Sequence, residues 1–241
     1  MTRFEPKDHY TIVVYGDSIA RGIIFDEEKQ KHALLLENFT NLVRDHLKGV
    51  VHNAAKFGST IVEALQRFNN DIVRRKPDIV LIEFGGNDCD FDWKVIAENP
   101  AGEHFPNTDY NTFLETLKGL VEKLTSINII PVLVTLPPLD AEKYFRWVSN
   151  NSEQAQENIL KWMGSISRIY SWHERYNAAI LDVAEKTKTR LIDIRTAFLK
   201  SADYTTLICR DGMHPNKEGH KIIAEKILEY IKTDYNFLLH S

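Results

Sequence analysis

The chain contains 241 residues, with an apolar share of 43% and a formal net charge of −4 at pH 7. This length and composition suit one large α/β domain with a substantial hydrophobic core. Acidic and basic residues are interspersed, and no Lys/Arg run is long enough to follow a phosphate backbone, which excludes a dedicated nucleic-acid surface.

The sequence carries no sign of export or of membrane insertion. Its polar start, Met1–Asp8, lacks the apolar core of a secretory signal. No apolar stretch approaches the roughly 18–20 residues needed to cross a bilayer. Cys89 and Cys209 are too few for a disulfide framework or a zinc site. We therefore predict a cytoplasmic protein with reduced thiols and no membrane partner, and leave open whether it is a monomer or a homo-oligomer.

Apolar runs rich in Ile and Val alternate along the chain with helical patterns. The runs are Thr11–Tyr15, Val50–His52, Asp78–Phe84, Ile129–Leu136 and Arg190–Ile194. The helical patterns are Lys31–Leu47, Thr60–Arg74, Asn111–Ser126, Gln156–Lys188 and an amphipathic final segment, Lys217–Thr233. Short runs without polar alternation are typical of parallel strands that are covered on both faces. The pattern predicts a single doubly wound α/β domain over residues 1–241, with its site at the carboxyl ends of the strands.

Two connections are too long to be simple loops. Residues 89–109 follow the third apolar run and residues 137–171 follow the fourth, and both are rich in aromatic side chains. Insertions on the site side of such a sheet often shape a pocket or a lid. The same aromatic residues would equally suit packing on the domain or a subunit contact, and the sequence leaves these interpretations open.

Ser18 lies where the first strand ends and the next segment begins. Gly16 permits a tight turn there, and Asp17 can cap the backbone N–H groups beyond it. A serine in this position presents its hydroxyl near a helix N-terminus, which favours developing negative charge. Ser18 is therefore a candidate nucleophile, although Gly-Asp-Ser alone also fits a serine that only caps a helix.

Asp211 and His214 supply the candidate base. A histidine accepts a serine proton only when its other ring nitrogen is held, and a carboxylate three residues upstream can hold it. Gly212 lets the backbone bend, and Pro215 disfavours helical geometry at His214. The other eight histidines have no comparable setting, and we interpret most of them as surface or packing residues. His104 is the exception that we expect to come nearest to the pocket, because it lies in an insertion.

Acyl transfer also needs hydrogen-bond donors aimed at the oxyanion. Asn87 follows the third strand through two glycines, so its side-chain amide can reach toward Ser18. Gly58 follows the second strand, where a glycine N–H can approach a substrate closely. With the N–H of Ser18, this makes three candidate donors from three strand ends. Individually, Gly58 also fits an ordinary helix-start glycine and Asn87 an ordinary turn residue.

The chain resembles the SGNH hydrolases, also called the GDSL family of esterases and lipases, in four blocks that span nearly its whole length. The blocks are Gly16-Asp17-Ser18, Gly58, Gly85-Gly86-Asn87-Asp88 and Asp211-Gly212-Met213-His214. The resemblance implies Ser18 as nucleophile, His214 as base and Asp211 as the residue that orients it. It also implies an oxyanion hole from the Ser18 N–H, the Gly58 N–H and the Asn87 amide, a three-layer α/β/α flavodoxin-like fold with strand order 2-1-3-4-5, and no cofactor or metal.

The blocks together predict a serine hydrolase that cleaves a small carboxylic ester through an acyl-enzyme. A short-acyl or acetyl ester, on a carbohydrate for example, suits the aromatic insertions, and nothing resembles a long lipid channel. The same triad could serve an acyltransferase or a thioesterase. A non-catalytic flavodoxin-like ligand-binding module is the alternative from another class.

Three further features lie close to the blocks. Glu83 lies inside an apolar strand, and we interpret it as a hydrogen-bonded structural group. Cys89 and Cys209 each lie near a block, and two buried free thiols are favoured over a regulatory disulfide. Arg210 could contact an acidic substrate group, although a surface ion pair is the default expectation.

Overall fold

The computed structural model describes residues 7–240. The first six residues of the polar start that led us to predict no secretory signal, Met1–Pro6, lie outside the described part. Within that part, no helix combines the length and the hydropathy that a membrane span requires.

Five parallel strands form the central sheet, and two more form a separate antiparallel hairpin. The seven strands of residues 7–240 are β1 (Tyr10–Gly16), β2 (Ile23–Asp26), β3 (Lys31–Leu34), β4 (Gly49–Asn53), β5 (Ile79–Glu83), β6 (Ile130–Val134) and β7 (Arg190–Ile192). The order across the sheet is β4-β1-β5-β6-β7, with β2 paired to β3 outside it. Counted within the sheet alone, this is the 2-1-3-4-5 order that the family resemblance implied.

Eleven α-helices connect and cover the strands in the described part. They are α1 (Ser18–Arg21), α2 (Phe39–Arg44), α3 (Ile61–Gln66), α4 (Phe68–Asp71), α5 (Trp93–Glu98), α6 (Tyr110–Ser126), α7 (Ala141–Val148), α8 (Glu153–Met163), α9 (Ser167–Thr187), α10 (Ile194–Leu199) and α11 (Lys217–Asp234). Short 3-10 turns occupy Val73–Arg75, Tyr204–Leu207 and Asn236–Leu238.

The sheet separates two apolar cores, which makes the fold a three-layer α/β/α sandwich. Successive residues of a strand point to opposite faces, so Ile12 and Val14 of β1 pack with α2, α10 and α11 on one side. Val13 and Tyr15 pack with α3, α6 and α9 on the other side. The predicted fold class is confirmed.

Three predicted helices are wrong in part. The pattern at Thr60–Arg74 is divided into α3, α4 and the 3-10 turn Val73–Arg75. The pattern at Lys31–Leu47 is a hairpin strand followed by a helix that begins only at Phe39, where the Asn38 side chain accepts the Asn41 N–H. Leu34 and Leu36, which contributed to the helical pattern, are 47% and 77% exposed and bury no helix face. The pattern at Gln156–Lys188 covers two helices, α8 and α9, because Gly164 ends the first in a positive-φ conformation.

The two insertions pack against each other. Helix α5 from residues 89–109 meets α7, α8 and the start of α9 from residues 137–171, and they share an aromatic cluster built around Phe91, Trp93 and Tyr144. The cluster lies at one end of the sheet, so the insertions supply both packing and, as described below, one wall of a cleft. The assignment of residues 1–241 to a single domain stays a prediction.

Candidate active site

The residues singled out in the sequence meet at one cleft. Ser18 follows β1, Gly58 lies in the loop after β4, and Asn87 lies in the turn after β5. Asp211 and His214 come from the loop before α11. All five line a cleft of about 440 Å³ at the carboxyl ends of the strands, as expected for a doubly wound sheet.

Helix α1 holds Ser18 through two buried carboxylates. Asp17 caps the helix by accepting the Ile19 N–H at 2.9 Å, and Glu83 accepts the Ala20 N–H at 3.2 Å. A Cβ on Gly16 would lie 2.4 Å from the Glu83 carbonyl oxygen, so only glycine fits the approach of β1 to β5. The expected cap by Asp17 and the structural role of Glu83 are both found.

A hydrogen-bonded chain joins the serine, the histidine and the aspartate. The Ser18 hydroxyl lies 2.9 Å from His214 Nε2, and His214 Nδ1 lies 2.6 Å from Asp211 Oδ2. Asp211 Oδ1 accepts the backbone N–H groups of Met213 and His214, which fixes the turn between the two side chains. The side chains of Ser18, His214 and Asp211 are nearly inaccessible to solvent, so each depends on the others for its hydrogen bonds.

A second histidine reaches the same carboxylate. His32 Nε2, on β3, lies 2.9 Å from Asp211 Oδ2, and the His32 ring is 4.9 Å from the His214 ring. Burial by itself raises the pKa of Asp211, but the hydrogen bonds from His214 and His32 outweigh burial and hold that pKa well below its ordinary value. Asp211 is therefore a stable anion that two imidazoles share.

Sequence reasoning missed His32, which we interpreted as a surface or packing residue. That interpretation rested on the lack of a setting comparable to that of His214, and the helix predicted over Lys31–Leu47 gave no reason to place His32 at the cleft. The polar run Asp26–Gln30, which contains the hairpin turn at residues 27–30, was the signal that could have revealed two strands.

Gly58 and Asn87 line the same cleft as Ser18. The Asn87 side-chain nitrogen is buried and, among the described residues, makes no hydrogen bond of standard geometry, although its side chain lies close enough to the Asp17 carboxylate to lower the pKa of Asp17. Native proteins rarely leave a buried donor in this state without purpose. Gly58 has φ 71°, and a Cβ there would contact nothing within 4 Å. Asp88 is fully buried and accepts the Ile61 N–H at 3.0 Å, which ties the start of α3, just after Gly58, to the turn that carries Asn87.

The insertions form one wall of the cleft, and Trp147 from the second insertion packs against Phe25 and His32 of the hairpin. Asp90 Oδ1 accepts both the Tyr144 hydroxyl at 2.6 Å and the Trp93 Nε1–H at 2.7 Å, so one carboxylate joins the two insertions. Tyr144, Trp93 and Trp147 line the cleft. The pocket interpretation holds for these residues, whereas His104 bonds the Asn99 carbonyl oxygen and does not line the cleft.

Cys89 and Cys209 are both buried free thiols, as predicted. His32, Asp211 and His214 place ligating atoms within 4.8 Å of one another, but these atoms already form the hydrogen bonds described above. The expectation of no metal and no cofactor stays a prediction.

Comparison with known proteins identifies related sequences. The model of the GDSL-like Lipase/Acylhydrolase family matches residues 14–222. The chain is 24% identical over 159 residues to the GDSL esterase/lipase CPRD49 of Arabidopsis thaliana, covering 65% of this chain and 55% of that protein. It is 24% identical to an acetylxylan esterase of Geobacillus stearothermophilus over 75% of this chain and 71% of that protein.

A further relative is the uncharacterized lipoprotein YqeF of Bacillus subtilis (strain 168), 25% identical over 92% of this chain and 90% of that protein. The chain thus spans most of YqeF but only about half the length of the plant relatives that it matches. Because one relative is named a lipoprotein, the cytoplasmic location stays a prediction.

Solved structures share the fold. The lipase/acylhydrolase from Enterococcus faecalis superposes with a TM-score of 0.67 at 23% identity, covering 96% of this chain and 97% of that one. The acetyl-xylooligosaccharide esterase Axe2 of Geobacillus stearothermophilus superposes with a TM-score of 0.64 at 20% identity, again covering 96% and 97%.

Proposed function

The chain belongs to the GDSL-like lipase/acylhydrolase family, and from this premise we propose that it hydrolyses small carboxylic esters through an acyl-enzyme on Ser18. The observation that carries the proposal is the continuous hydrogen-bonded chain from Asp211 through His214 to the Ser18 hydroxyl, with contacts of 2.6 and 2.9 Å. These are the contacts by which a base removes a serine proton.

In the first step, Ser18 Oγ attacks the ester carbonyl carbon while His214 Nε2 accepts the hydroxyl proton. The negative charge of Asp211 stabilises the resulting imidazolium, and its hydrogen bond to His214 Nδ1 holds the ring in place. His214 then returns the proton to the departing alkoxide, and the alcohol leaves the acyl-enzyme. Water attacks the acyl carbon in the second half-reaction, again with His214 as base.

The oxyanion of both tetrahedral intermediates requires donors that are already in place. We assign this role to the N–H groups of Ser18 and Gly58 and to Asn87 Nδ2. The unpartnered state of Asn87 Nδ2 supports the assignment, because a buried donor without an acceptor is costly in the free protein and is satisfied when the oxyanion forms.

The proposed substrate is a short-acyl or acetyl ester on a carbohydrate. The cleft of about 440 Å³ suits a small acyl group with part of a sugar ring. The aromatic walls from Trp93, Tyr144 and Trp147 suit the apolar face of such a ring. The names of the acetylxylan esterase relative and of Axe2 favour the same substrate class. An acyltransferase or thioesterase would use the same residues, and analysis of products with competing sugar and thiol acceptors separates these activities.

Substituting Ser18 by Ala tests the assignment. We expect kcat for p-nitrophenyl acetate to fall by at least about 10⁴-fold, because the nucleophile is lost while the fold is kept. Fluorophosphonate labelling should disappear in the same variant. The matched control is Ser126→Ala, at an exposed position at the end of α6. Retained turnover in Ser18→Ala would reject Ser18 as nucleophile, and an unlabelled, inactive wild-type protein would favour a non-catalytic binding module.

A further inference from the structure

A second cavity adjoins the cleft on the far side of Trp147. It measures about 590 Å³, and Trp147 lines both this cavity and the cleft that contains Ser18. The Trp147 ring is held by edge contacts to Phe25, with ring centroids 4.9 Å apart, and to His32, with centroids 5.7 Å apart. About 37% of Trp147 remains exposed. A fixed and partly exposed aromatic ring therefore forms the divide between the two spaces.

The second cavity has an apolar floor and a wall rich in donors. Phe25 and Ile208 are buried beneath it, while Arg146 and Arg210 project from opposite elements, α7 and the loop before the Asp211 turn. Convergent donors above an apolar floor are the usual composition of a site for a small polar ligand. We name this space the basic cavity.

The two arginines keep most of their hydrogen-bonding capacity. The contact of Arg146 with Glu142 is 3.9 Å long, and Arg210 donates to Gln30 Oε1 at 3.4 Å. Lys143 differs, because its ammonium donates to the Thr205 carbonyl oxygen at 2.6 Å and pairs with Asp140. Arg146 and Arg210 are therefore the lining cations that remain available to a ligand.

The charge of the basic cavity suits a monoanion. The lining residues include three cations and one acidic residue, Glu27. Lys143 is already paired with Asp140, and Glu142 lies 3.9 Å from Arg146, so the net charge offered to a ligand is small. A planar carboxylate matches the fork of an arginine and carries a single charge. A phosphate dianion would meet too little positive charge and would also lie near Glu27.

We propose that the basic cavity binds a carboxylate on the alcohol portion of the substrate, so that the preferred ester is one of an acidic sugar. This inference rests on the proposed function at Ser18. The acyl group occupies the cleft beside Ser18, the sugar ring crosses the face of Trp147, and the carboxylate reaches Arg146 and Arg210. Both arginines are solvent-exposed, so their effect is moderate and weakens with added salt.

The test compares two acetylated sugars that differ only in the acidic group. The substrates are a monoacetylated methyl glucuronoside and the corresponding methyl glucoside, and the measured quantity is the ratio of their kcat/KM values. We expect the wild type to favour the glucuronoside about tenfold, mainly through KM, and the Arg146→Gln/Arg210→Gln double variant to bring the ratio near one. The matched control is Arg168→Gln, at an exposed position on α9 away from both cavities, which should keep the wild-type ratio.

A wild-type ratio near one, or a ratio that the double variant leaves unchanged, would overturn the proposal. Preference for an acetylated sugar phosphate over the glucuronoside would overturn the assignment of a carboxylate.

A binding experiment tests the basic cavity without relying on hydrolysis. Calorimetry measures the binding of unesterified methyl glucuronoside to the Ser18→Ala protein and compares it with the binding of methyl glucoside. Glucuronoside binding without any ester hydrolysis in the wild type would reject the proposed function and leave the basic cavity supported. Ester hydrolysis without preferential binding of the glucuronoside would support the proposed function and reject the role of the basic cavity.

Discussion

The Asp211 carboxylate makes four hydrogen bonds in a nearly dry environment. Oδ1 accepts hydrogen bonds from two backbone N–H groups, and Oδ2 accepts hydrogen bonds from ring nitrogens of His214 and His32. A carboxylate that accepts this many bonds stays ionised and fixed in orientation. We therefore expect His32 to act on the proposed reaction through Asp211, as a positioning residue for His214.

Replacing His32 by Phe should lower kcat about tenfold and leave KM for a small ester nearly unchanged. The phenyl ring retains the contacts of His32 with Phe25, Phe57 and Trp147 but removes one charge-assisted hydrogen bond, worth roughly 1.5 kcal/mol or more. Steady-state kinetics with p-nitrophenyl acetate measure both parameters. His32→Gln keeps a side-chain N–H and should restore part of kcat.

His104→Phe is the matched control, because His104 bonds the Asn99 carbonyl oxygen outside the cleft and should tolerate the same replacement. Wild-type kcat in His32→Phe would mean that Asp211 needs no second imidazole. A rise in KM with constant kcat would instead make His32 a substrate contact.

At the scale of elements, the turn that carries Asp211 and His214 is held by an insertion. Gly212 adopts φ 78°, and its carbonyl oxygen accepts the Asp140 N–H at 2.8 Å at the start of α7. A Cβ on Gly212 would lie 2.2 Å from the Tyr144 backbone nitrogen. The atoms that an added Cβ would meet belong to the backbone of α7, so no side-chain movement could make room for it.

Gly212→Ala should therefore lower the free energy of unfolding by about 2–4 kcal/mol, from left-handed strain together with overpacking. Because α7 or the turn must shift, we also expect kcat to fall, by about 10²-fold for a displacement near 1 Å. Urea unfolding and kinetics on p-nitrophenyl acetate measure the two effects.

Gly119→Ala supplies a control of opposite sign. Gly119 lies on the exposed side of α6 with nothing within 4 Å of an added Cβ, so the same substitution should stabilise the protein by up to about 1 kcal/mol. Equal stability of the Gly212→Ala variant and the wild type would contradict the close approach of α7 to the turn.

The elements also explain which predictions could be made from the sequence. Buried strands such as β1 and β5 are nearly continuous apolar runs, and the blocks at their ends carry glycines with fixed backbone roles, so the strands and the residues that meet at the cleft could be predicted. The hairpin β2–β3 was not, because its residues are largely solvent-accessible and its position depends on long-range contacts. His32 reaches Asp211 across 179 positions of sequence, and no local pattern encodes that distance.

Over the whole molecule, the fold buries ionisable groups that prefer to be neutral. Burial raises the pKa of Asp17 and Glu83, and it raises the pKa of Asp88 to about 7. Burial also lowers the pKa of His173 to about 3 and of His220 to about 4. The two sets have opposite effects on the free energy of unfolding. The buried histidines lower it as pH falls below about 6.5, and the buried carboxyls lower it as pH rises above about 4.

Asp88→Asn isolates one of these contributions. The pKa of Asp88 is about 7 in the fold and about 4 in an unfolded chain, so the folded state binds the proton more tightly and the free energy of unfolding falls as pH rises between these values. Asparagine keeps an oxygen for the Ile61 N–H but does not titrate. Between about pH 5 and about pH 7, the free energy of unfolding of the wild type should fall by roughly 2–3 kcal/mol more than that of the variant, since one pKa unit corresponds to about 1.36 kcal/mol. Urea unfolding at both pH values measures this difference, and parallel pH dependences of the two proteins would show that Asp88 is already ionised in the fold.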